Sequence, residues 1–210
     1  YLTLAEQDLL EAHVPCWVAR LRPRSLVELG AGSAVKTRVF LSAMHDREES
    51  VTYVPIDISA EFLERTAAAL RAEYPRLRVR PLATSFARAL DRFPEMPRPA
   101  LVIFPGSTIG NFTEQEAPGL LRSVRRALRR EDAFLLGVDL RKDVAVLEAA
   151  YNDSRGVTAA FNVNMLRVLN ERFGADFDLQ GYRHCARYDT RAHRIEMHLV
   201  SVHHQRAEVL

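Results

Sequence analysis

Cysteine is scarce in this chain of 210 residues, and the two that occur, Cys16 and Cys185, lie far apart in sequence with no CxxC pair. A disulfide framework or a cysteine-based zinc site needs more thiols at closer spacing, which excludes both from the expected fold. The histidines of the last predicted strands do not form a closed ligand set, so we expect no metal site. This cysteine usage is typical of a reducing cytoplasm, where we expect the protein to act.

Long apolar runs and strong net charge are also missing. No stretch of about 18 apolar residues occurs, which excludes a membrane-spanning helix, and no leader sequence supports secretion. The formal net charge of +2 is too small to indicate nucleic-acid binding by itself. Arginines within residues 122–130 recur at helical spacing, as on the solvated face of a helix. We therefore expect neither a membrane nor a nucleic acid as partner.

A third glycine is missing from the most informative stretch of the chain, which has the sequence SLVELGAGSAVKT and covers residues 25–37. Its apolar start predicts a buried strand, interrupted by the charge of Glu28. Gly30 and Gly32 then permit a turn where a ligand approaches the backbone. A dinucleotide fold places a third glycine beside a pyrophosphate, and here Val35 stands at that position. The turn therefore indicates a nucleotide-like ligand without a pyrophosphate.

An acidic residue at the end of the second predicted strand supplies the other half of this signal. Asp57 can accept hydrogen bonds from both hydroxyls of a ribose. S-adenosylmethionine (SAM) has an adenosine, a ribose and an amino-acid tail but no phosphate, so it fits both features. A structural turn followed by a solvated acid is the alternative that these residues alone leave open.

Strands alternate with helices through the first two thirds of the chain, which predicts an α/β fold with a mostly parallel sheet. Ser59 is the predicted N-cap of the helix over residues 60–73. Residues 77–82 predict a third strand near an edge. In the first predicted helix, residues 4–21, Pro15 is expected to kink or divide the segment. The predicted strands cover residues 25–29, 51–56, 77–82, 101–104 and 133–138, and the predicted helices residues 4–21, 36–44, 60–73 and 114–130.

The alternation stops after the fifth strand. Residues 142–173 are helical in pattern, and residues 182–188 and 194–202 predict an antiparallel hairpin. We therefore expect a Rossmann-like core with an N-terminal helix over residues 1–141, and a helical substrate-binding insertion over the site at residues 142–180. Residues 181–210 are expected to complete the sheet and the acceptor pocket.

Motifs along nearly the whole chain carry a family resemblance. The chain resembles the L-histidine Nα-methyltransferases of ergothioneine biosynthesis, which implies a class I methyltransferase fold and the use of three SAM molecules to convert histidine to its trimethylammonium derivative. The stretches that carry it are, in order, ELGAGSAVKT, YVPIDIS, FPGSTIGNF, GVDLRKD, AAYND, GVTAAFNVN and RIEMHLVS.

The resemblance implies a set of cofactor-binding residues. Gly30, Lys36 and Asp57 match positions that bind SAM. Ser85 and Phe86 match the stretch near the adenine, where the family often has an acidic residue before the Phe. Because Ser85 departs from that pattern, the ribose contact of Asp57 is the firmer expectation of the two.

A second set of residues matches positions that bind the acceptor. A carboxamide such as that of Asn111 can donate to a carboxylate and accept from an ammonium, which suits an amino-acid substrate. Four of the residues also have a structural alternative: a turn-forming Asn111, a core or surface Tyr151, a helix-filling Thr158, and a Met197 that fills a gap in the core. The implied acceptor-binding residues are Gly106, Asn111, Tyr151, Thr158, Met197 and, with Leu4 in place of the usual arginine, Tyr1.

The resemblance leaves the chemistry of deprotonation open. Transfer from a sulfonium needs a neutral amine, and no residue stands out as the base, so we name no catalytic residue. Family segments before Tyr1 and after Leu210, one of which recognises the imidazole, are expected to be absent from this chain. We expect a monomer that methylates an amino acid.

Other functions stay open at this stage. Methylation of tryptophan or another small amine, and a non-catalytic SAM-binding domain, are the main alternatives. A nucleic-acid amino methyltransferase usually has two prolines after the acidic or Asn residue of its fourth-strand motif, and the sequence GNF has none. A nicotinamide oxidoreductase is disfavoured by the missing third glycine.

Overall fold

A computed structural model describes residues 2–32, 34–46, 50–91, 93 and 95–209. The chain divides into two compact units, Tyr1–Asp139 and Leu140–Leu210. The predicted segments 142–180 and 181–210 both fall in the second unit. Among the described residues, no helix combines the length and apolar character needed to cross a bilayer.

The first unit is built around a parallel sheet with strand order β3-β2-β1-β5-β6, with the short β4 also paired to β2. This confirms the predicted parallel α/β architecture and the edge position of the third strand. Since β1 and β5 are neighbours in the centre, their carboxyl ends form the crevice where α/β sheets bind ligands. The strands are β1 (Ser25–Leu29), β2 (Val51–Asp57), β3 (Leu77–Val79), β4 (Leu82–Ala83), β5 (Ala100–Phe104) and β6 (Ala133–Leu136).

Helices cover both faces of this sheet. One face packs Leu26 and Ile103 against residues of α1, α2 and α3, while the other packs Val27 and Phe104 against residues of α4 and α5. The central strands are fully buried because each face meets a helical layer. The helices are α1 (Leu2–Leu21), α2 (Thr37–His45), α3 (Ala60–Glu73), α4 (Phe86–Asp91) and α5 (Glu116–Ala127).

Two local predictions are corrected and a third is confirmed in position. Pro15 does not divide α1, which runs unbroken to Leu21, because buried Val14 and Val18 fix the helix on both sides of it. The third strand is split into β3 and β4 around Pro81, which has no N–H for the ladder. Ser59 is the N-cap residue of α3, as predicted, although its hydroxyl makes no capping hydrogen bond.

The second unit contains α6 (Val144–Tyr151), α7 (Val157–Phe173) and the antiparallel strands β7 (Tyr182–Asp189) and β8 (Arg194–Ser201). The helical insertion and the hairpin are thus confirmed. The expectation that the hairpin completes the main sheet is wrong, because β7 and β8 form a separate two-stranded sheet.

Side chains of α6 and of Asn152, the residue that follows it, explain why β7 pairs with a single strand. The Asn152 amide donates to the carbonyl of Ala186 (2.8 Å) and accepts from its N–H (2.9 Å), as a neighbouring strand would. Further along, the Tyr188 N–H donates to Glu148 Oε1 at 2.9 Å. These contacts satisfy three backbone groups at the outer edge of β7 without another strand.

Candidate functional site

A cavity of about 310 Å³ lies at the carboxyl ends of β1 and β5, within the first unit. Its volume falls at the lower end of the range of about 300–1,000 Å³ usual for small-molecule sites. The predicted residues Gly30, Lys36 and Gly106 line it together, although they come from separate parts of the sequence. Thr3, Glu28 and Thr108 also contribute to the lining.

Gly30 gives the turn after β1 its shape. Its φ of +76° lies in the left-handed region, which is strained for any residue with a side chain. A Cβ at this position would lie 3.5 Å from the Cζ of Phe86. The Phe86 ring packs edge-on against Phe104, with centroids 5.4 Å apart, and also contacts Phe112. Phe86 thus forms an aromatic cluster below the turn, and its predicted contact with adenine stays a prediction.

Asp57, the last residue of β2, is fixed beside the same turn. Its Oδ2 accepts from the N–H of Gly32 at 3.5 Å, and its Oδ1 accepts from the N–H of Ser59 at 3.1 Å. The carboxylate is only partly buried. Carboxylate oxygens have several acceptor positions, so Asp57 can hold the turn and still accept from a pair of hydroxyls.

Lys36 and Gly106 are joined by a residue that the sequence did not identify. Both oxygens of the Glu6 carboxylate accept from the Gly106 N–H, at 2.8 and 3.0 Å, and Oε2 pairs with the Lys36 ammonium. Glu6 lies four residues before Leu10 on the buried stripe of α1 that continues through Val14. An acid on an otherwise apolar stripe was the signal that could have indicated it.

Glu28 is the buried acid of the cavity wall, with an exposed fraction of 2%. Burial raises its pKa to about 7, although two hydrogen bonds act in the opposite direction. These come from the hydroxyls of Thr37 (2.6 Å) and Tyr53 (2.5 Å), both donating to Oε2. Burial and the neighbouring Glu28 in turn raise the pKa of Tyr53 well above its ordinary value.

The second predicted turn, after β5, is ordered by short hydrogen bonds. Ser107 has a left-handed φ of 55°, and its Oγ accepts from the Asp139 N–H at 3.1 Å. Thr108 Oγ1 donates to the Pro105 carbonyl at 2.9 Å. Asn111 lies beyond the end of β5, which is at Phe104. It is the exposed last residue of a 3₁₀ turn, Thr108–Asn111.

In the second unit, Tyr151 is the last residue of α6 and its carbonyl is held by a histidine. His184 Nε2 lies 2.7 Å from the Tyr151 oxygen, and His184 Nδ1 lies 2.9 Å from the Asn162 amide nitrogen. The same Asn162 nitrogen donates to the His198 carbonyl, which fixes the orientation of the amide. His184 must therefore carry its proton on Nε2 to donate to Tyr151.

The Asp153 side chain caps the first turn of α7 and thereby fixes the backbone of Thr158. Its carboxylate accepts from the N–H groups of Thr158 (2.8 Å) and Val157 (2.9 Å). These bonds, that of Thr158 foremost, lower the pKa of Asp153 to about 2. The motif AAYND thus combines Tyr151 with two residues, Asn152 and Asp153, that order the backbone around it.

The remaining predicted site residues are less constrained. Ser85 is exposed, and its Oγ lies 3.5 Å from the N–H of Arg88 at the start of α4. Met197 pairs with Ala186 across the hairpin and is 40% exposed. Tyr1 lies outside the described residues. Among the residues that are described, no group of three histidine, cysteine or acidic side chains is arranged to hold a metal ion.

Comparison with known proteins adds evidence independent of this geometry. A family model described as "Histidine-specific methyltransferase, SAM-dependent" matches residues 1–210. A histidine N-alpha-methyltransferase of Mycolicibacterium smegmatis is 40% identical over 95% of this chain and 62% of its own length. That of Mycobacterium tuberculosis is 39% identical over 100% of this chain and 65% of its own. The chain thus spans less than two thirds of the length of these relatives.

A solved structure is similar at the level of the fold. A DUF574 family protein from Streptomyces avermitilis superposes with a TM-score of 0.50 at 13% identity, covering 68% of this chain and 66% of that one.

Proposed function

Because the chain belongs to the family of histidine-specific, SAM-dependent methyltransferases, we propose that the full-length protein methylates the α-amino nitrogen of an amino acid. The acceptor is L-histidine, which becomes its trimethylated derivative, hercynine, a step of ergothioneine biosynthesis. The observation that carries the proposal is the cavity at the end of β1 and β5, where Gly30, Lys36 and Gly106 meet.

The residues of this cavity and of the segments next to the Gly30 turn fit the cofactor of the family. Asp57 offers carboxylate oxygens to the ribose hydroxyls, and Lys36 offers a cation to the carboxylate of the amino-acid tail. Ser85 and Phe86 are the proposed neighbours of the adenine. No third glycine is needed, because the ligand has no pyrophosphate to place beside the helix. When bound, SAM supplies an electrophilic methyl group on a sulfonium.

The protein's part in such a transfer is alignment. Holding the amine in line with the methyl group and the sulfur can contribute on the order of 7–11 kcal/mol to lowering the barrier. The amine must also be neutral when it reacts, and a base within hydrogen-bond reach or water can remove its proton. Glu28 is enclosed by Thr37 and Tyr53, so we assign it no role in that proton transfer.

We assign acceptor binding to the predicted residues by the chemistry of each side chain. In the first unit, the carboxamide of Asn111 suits the ammonium and carboxylate of an amino acid, with Gly106 in the same turn. In the second unit, the Tyr151 hydroxyl suits a carboxylate, with Thr158 and Met197 as further contacts. Tyr1 is proposed for a carboxylate contact on the resemblance alone. The cytoplasmic location and the monomeric state stay predictions.

Mass spectrometry tests the reaction. The full-length protein is incubated with SAM and each amino acid in turn, and additions of one, two and three methyl groups are sought. We expect trimethylated histidine. Product with tryptophan or another amine but none with histidine would refute the acceptor and retain the reaction. SAM binding without any methylated product would favour a non-catalytic domain.

Two substitutions separate the proposed donor and acceptor residues. Asp57→Ala should weaken SAM binding by roughly 10- to 100-fold, the usual effect of losing hydrogen bonds to a charged group. Asn111→Ala should mainly raise KM for the amino acid. Asp8→Ala, on the exposed side of α1, is the control and should change neither the affinity for SAM nor the KM for the amino acid. Equal losses of both affinities in both site variants would indicate misfolding and contradict the assignments.

A further inference from the structure

Glu6 joins three segments of the first unit through a single carboxylate. It lies on α1, it pairs with Lys36 immediately before α2, and it accepts from the N–H of Gly106 in the turn after β5. The Glu6 and Lys36 side chains are only 13% and 17% exposed. Lys36 and Gly106 line the cavity, so Glu6 acts on the cavity through both.

The contacts require a carboxylate in particular. Two donors, an ammonium and a backbone N–H, converge on the two oxygens of Glu6, whereas a carboxamide has a single acceptor oxygen. A glutamine here would therefore leave one donor without its acceptor or turn an NH₂ group toward it. An ammonium donates up to three hydrogen bonds, so pairing with Glu6 is compatible with donation by Lys36 to a ligand on the cavity side.

Gly137 makes room for this carboxylate. A Cβ on Gly137 would collide with Glu6 Oε1 and would lie 3.1 Å from the Pro105 Cα and 3.3 Å from the Gly106 nitrogen. The backbone atoms cannot yield as a flexible side-chain end can, so the added atom would displace Glu6. The glycine of the GVDLRKD stretch thus serves the same contact.

We propose that Glu6 is a positioning residue of the cofactor site, which fixes the Lys36 ammonium and the Gly106 amide at the cavity wall so that Lys36 faces the carboxylate of the cofactor's amino-acid tail. This inference rests on the proposed function, since it takes SAM as the ligand. The effect of Glu6 on binding should therefore be confined to ligands that carry the amino-acid tail. S-adenosylhomocysteine has that tail, whereas 5′-methylthioadenosine has the same adenosine and a sulfur but neither the carboxylate nor the ammonium.

Calorimetric titration of the full-length protein with these two ligands tests the inference. Glu6→Gln should lower the affinity for S-adenosylhomocysteine on the order of tenfold. The same substitution should change the affinity for 5′-methylthioadenosine by less than about twofold. In a Lys36→Met background, Glu6→Gln should have little further effect, because the two residues act as one unit. Glu11→Gln, an exposed acid on the same helix, is the matched control and should leave both affinities unchanged.

Gly137→Ala provides a second perturbation that leaves Glu6 in the sequence, and it should produce the same selective loss. If both variants lose affinity equally for the two ligands, Glu6 only supports the fold and the inference is overturned. Unchanged affinity for S-adenosylhomocysteine in Glu6→Gln would overturn it as well. If the wild-type protein binds neither ligand, the proposed function fails, and this inference fails with it.

Discussion

Replacing Glu28 by glutamine should change how stability depends on pH. The pKa of Glu28 is raised from an ordinary value of 4.5 to about 7 by burial. Between these two values the folded protein keeps a proton that the unfolded chain releases. The stability that this proton provides is complete below pH 4.5 and is lost as the pH rises through 7. A glutamine has the same shape and does not titrate, so this loss is missing from the variant.

The size of the effect follows from the two pKa values. Each unit of pKa difference corresponds to about 1.4 kcal/mol, so the wild-type protein should lose about 3 kcal/mol from this group across the interval. The free energy of unfolding of Glu28→Gln, measured relative to the wild type, should therefore rise by about 3 kcal/mol from pH 4 to pH 8. Any constant cost of burying the new amide shifts this difference without changing its slope. Tyr53→Phe removes a hydrogen bond that lowers the pKa of Glu28, so the interval should extend to higher pH.

Urea unfolding at a series of pH values provides the measurement. The only tryptophan, Trp17, packs against the core of the first unit, so its fluorescence reports on the unit that contains Glu28. Groups common to both proteins cancel in the difference between them. Parallel pH profiles for the wild type and Glu28→Gln would refute the reasoning, because Glu28 would then titrate alike in the folded and unfolded states.

Two predictions concern the second unit. Asp153→Ala should reduce stability much more above pH 3.8 than near pH 2, because the amides of Thr158 and Val157 lower the pKa of Asp153 to about 2 and most of its contribution is lost as the pH falls to that value. Circular dichroism during unfolding measures this difference, and an equal loss of stability at both pH values would contradict the prediction. Asn152→Ala should cost about 1–2 kcal/mol and speed amide exchange at Ala186, because it removes both side-chain bonds to that residue. Asn152→Asp keeps the acceptor and should preserve the protection of that amide, so equal exchange in both variants would exclude this role.

The parts of the fold that depend on hydrophobic pattern were predictable from the sequence. The bounds predicted for β1 and α3 agree with the structure, since an apolar run or a periodic stripe ends at each boundary. The helix α4 was missed because its six residues are too few to display a period. The separate hairpin sheet was also missed, since it depends on Asn152 and Glu148 reaching the edge of β7, and no local pattern reports such contacts.

The candidate site was predictable in part for a topological reason. Gly30 and Gly106 follow neighbouring parallel strands, and the carboxyl ends of such strands meet at one edge of the sheet. Two loops that are far apart in sequence therefore line one cavity. The contact between Glu6 and Gly106 spans 100 positions and involves a helix that is not part of the sheet order, so strand topology could not indicate it.

An acidic residue among apolar residues is the sequence signal that could have added Glu6 and Glu28 to the predicted site. The two residues also show what this signal does not reveal. Glu6 continues a stripe of α1 with Leu10 and Val14, and Glu28 interrupts the buried strand β1. Burying a carboxylate is costly unless hydrogen bonds or charges compensate, so each position requires partners that the pattern alone does not name. Glu6 meets the Lys36 cation and an amide, whereas Glu28 meets two neutral hydroxyls and has its pKa raised by burial. The same signal thus marks an ion pair in one case and a group that titrates near neutral pH in the other, and only the tertiary contacts distinguish them.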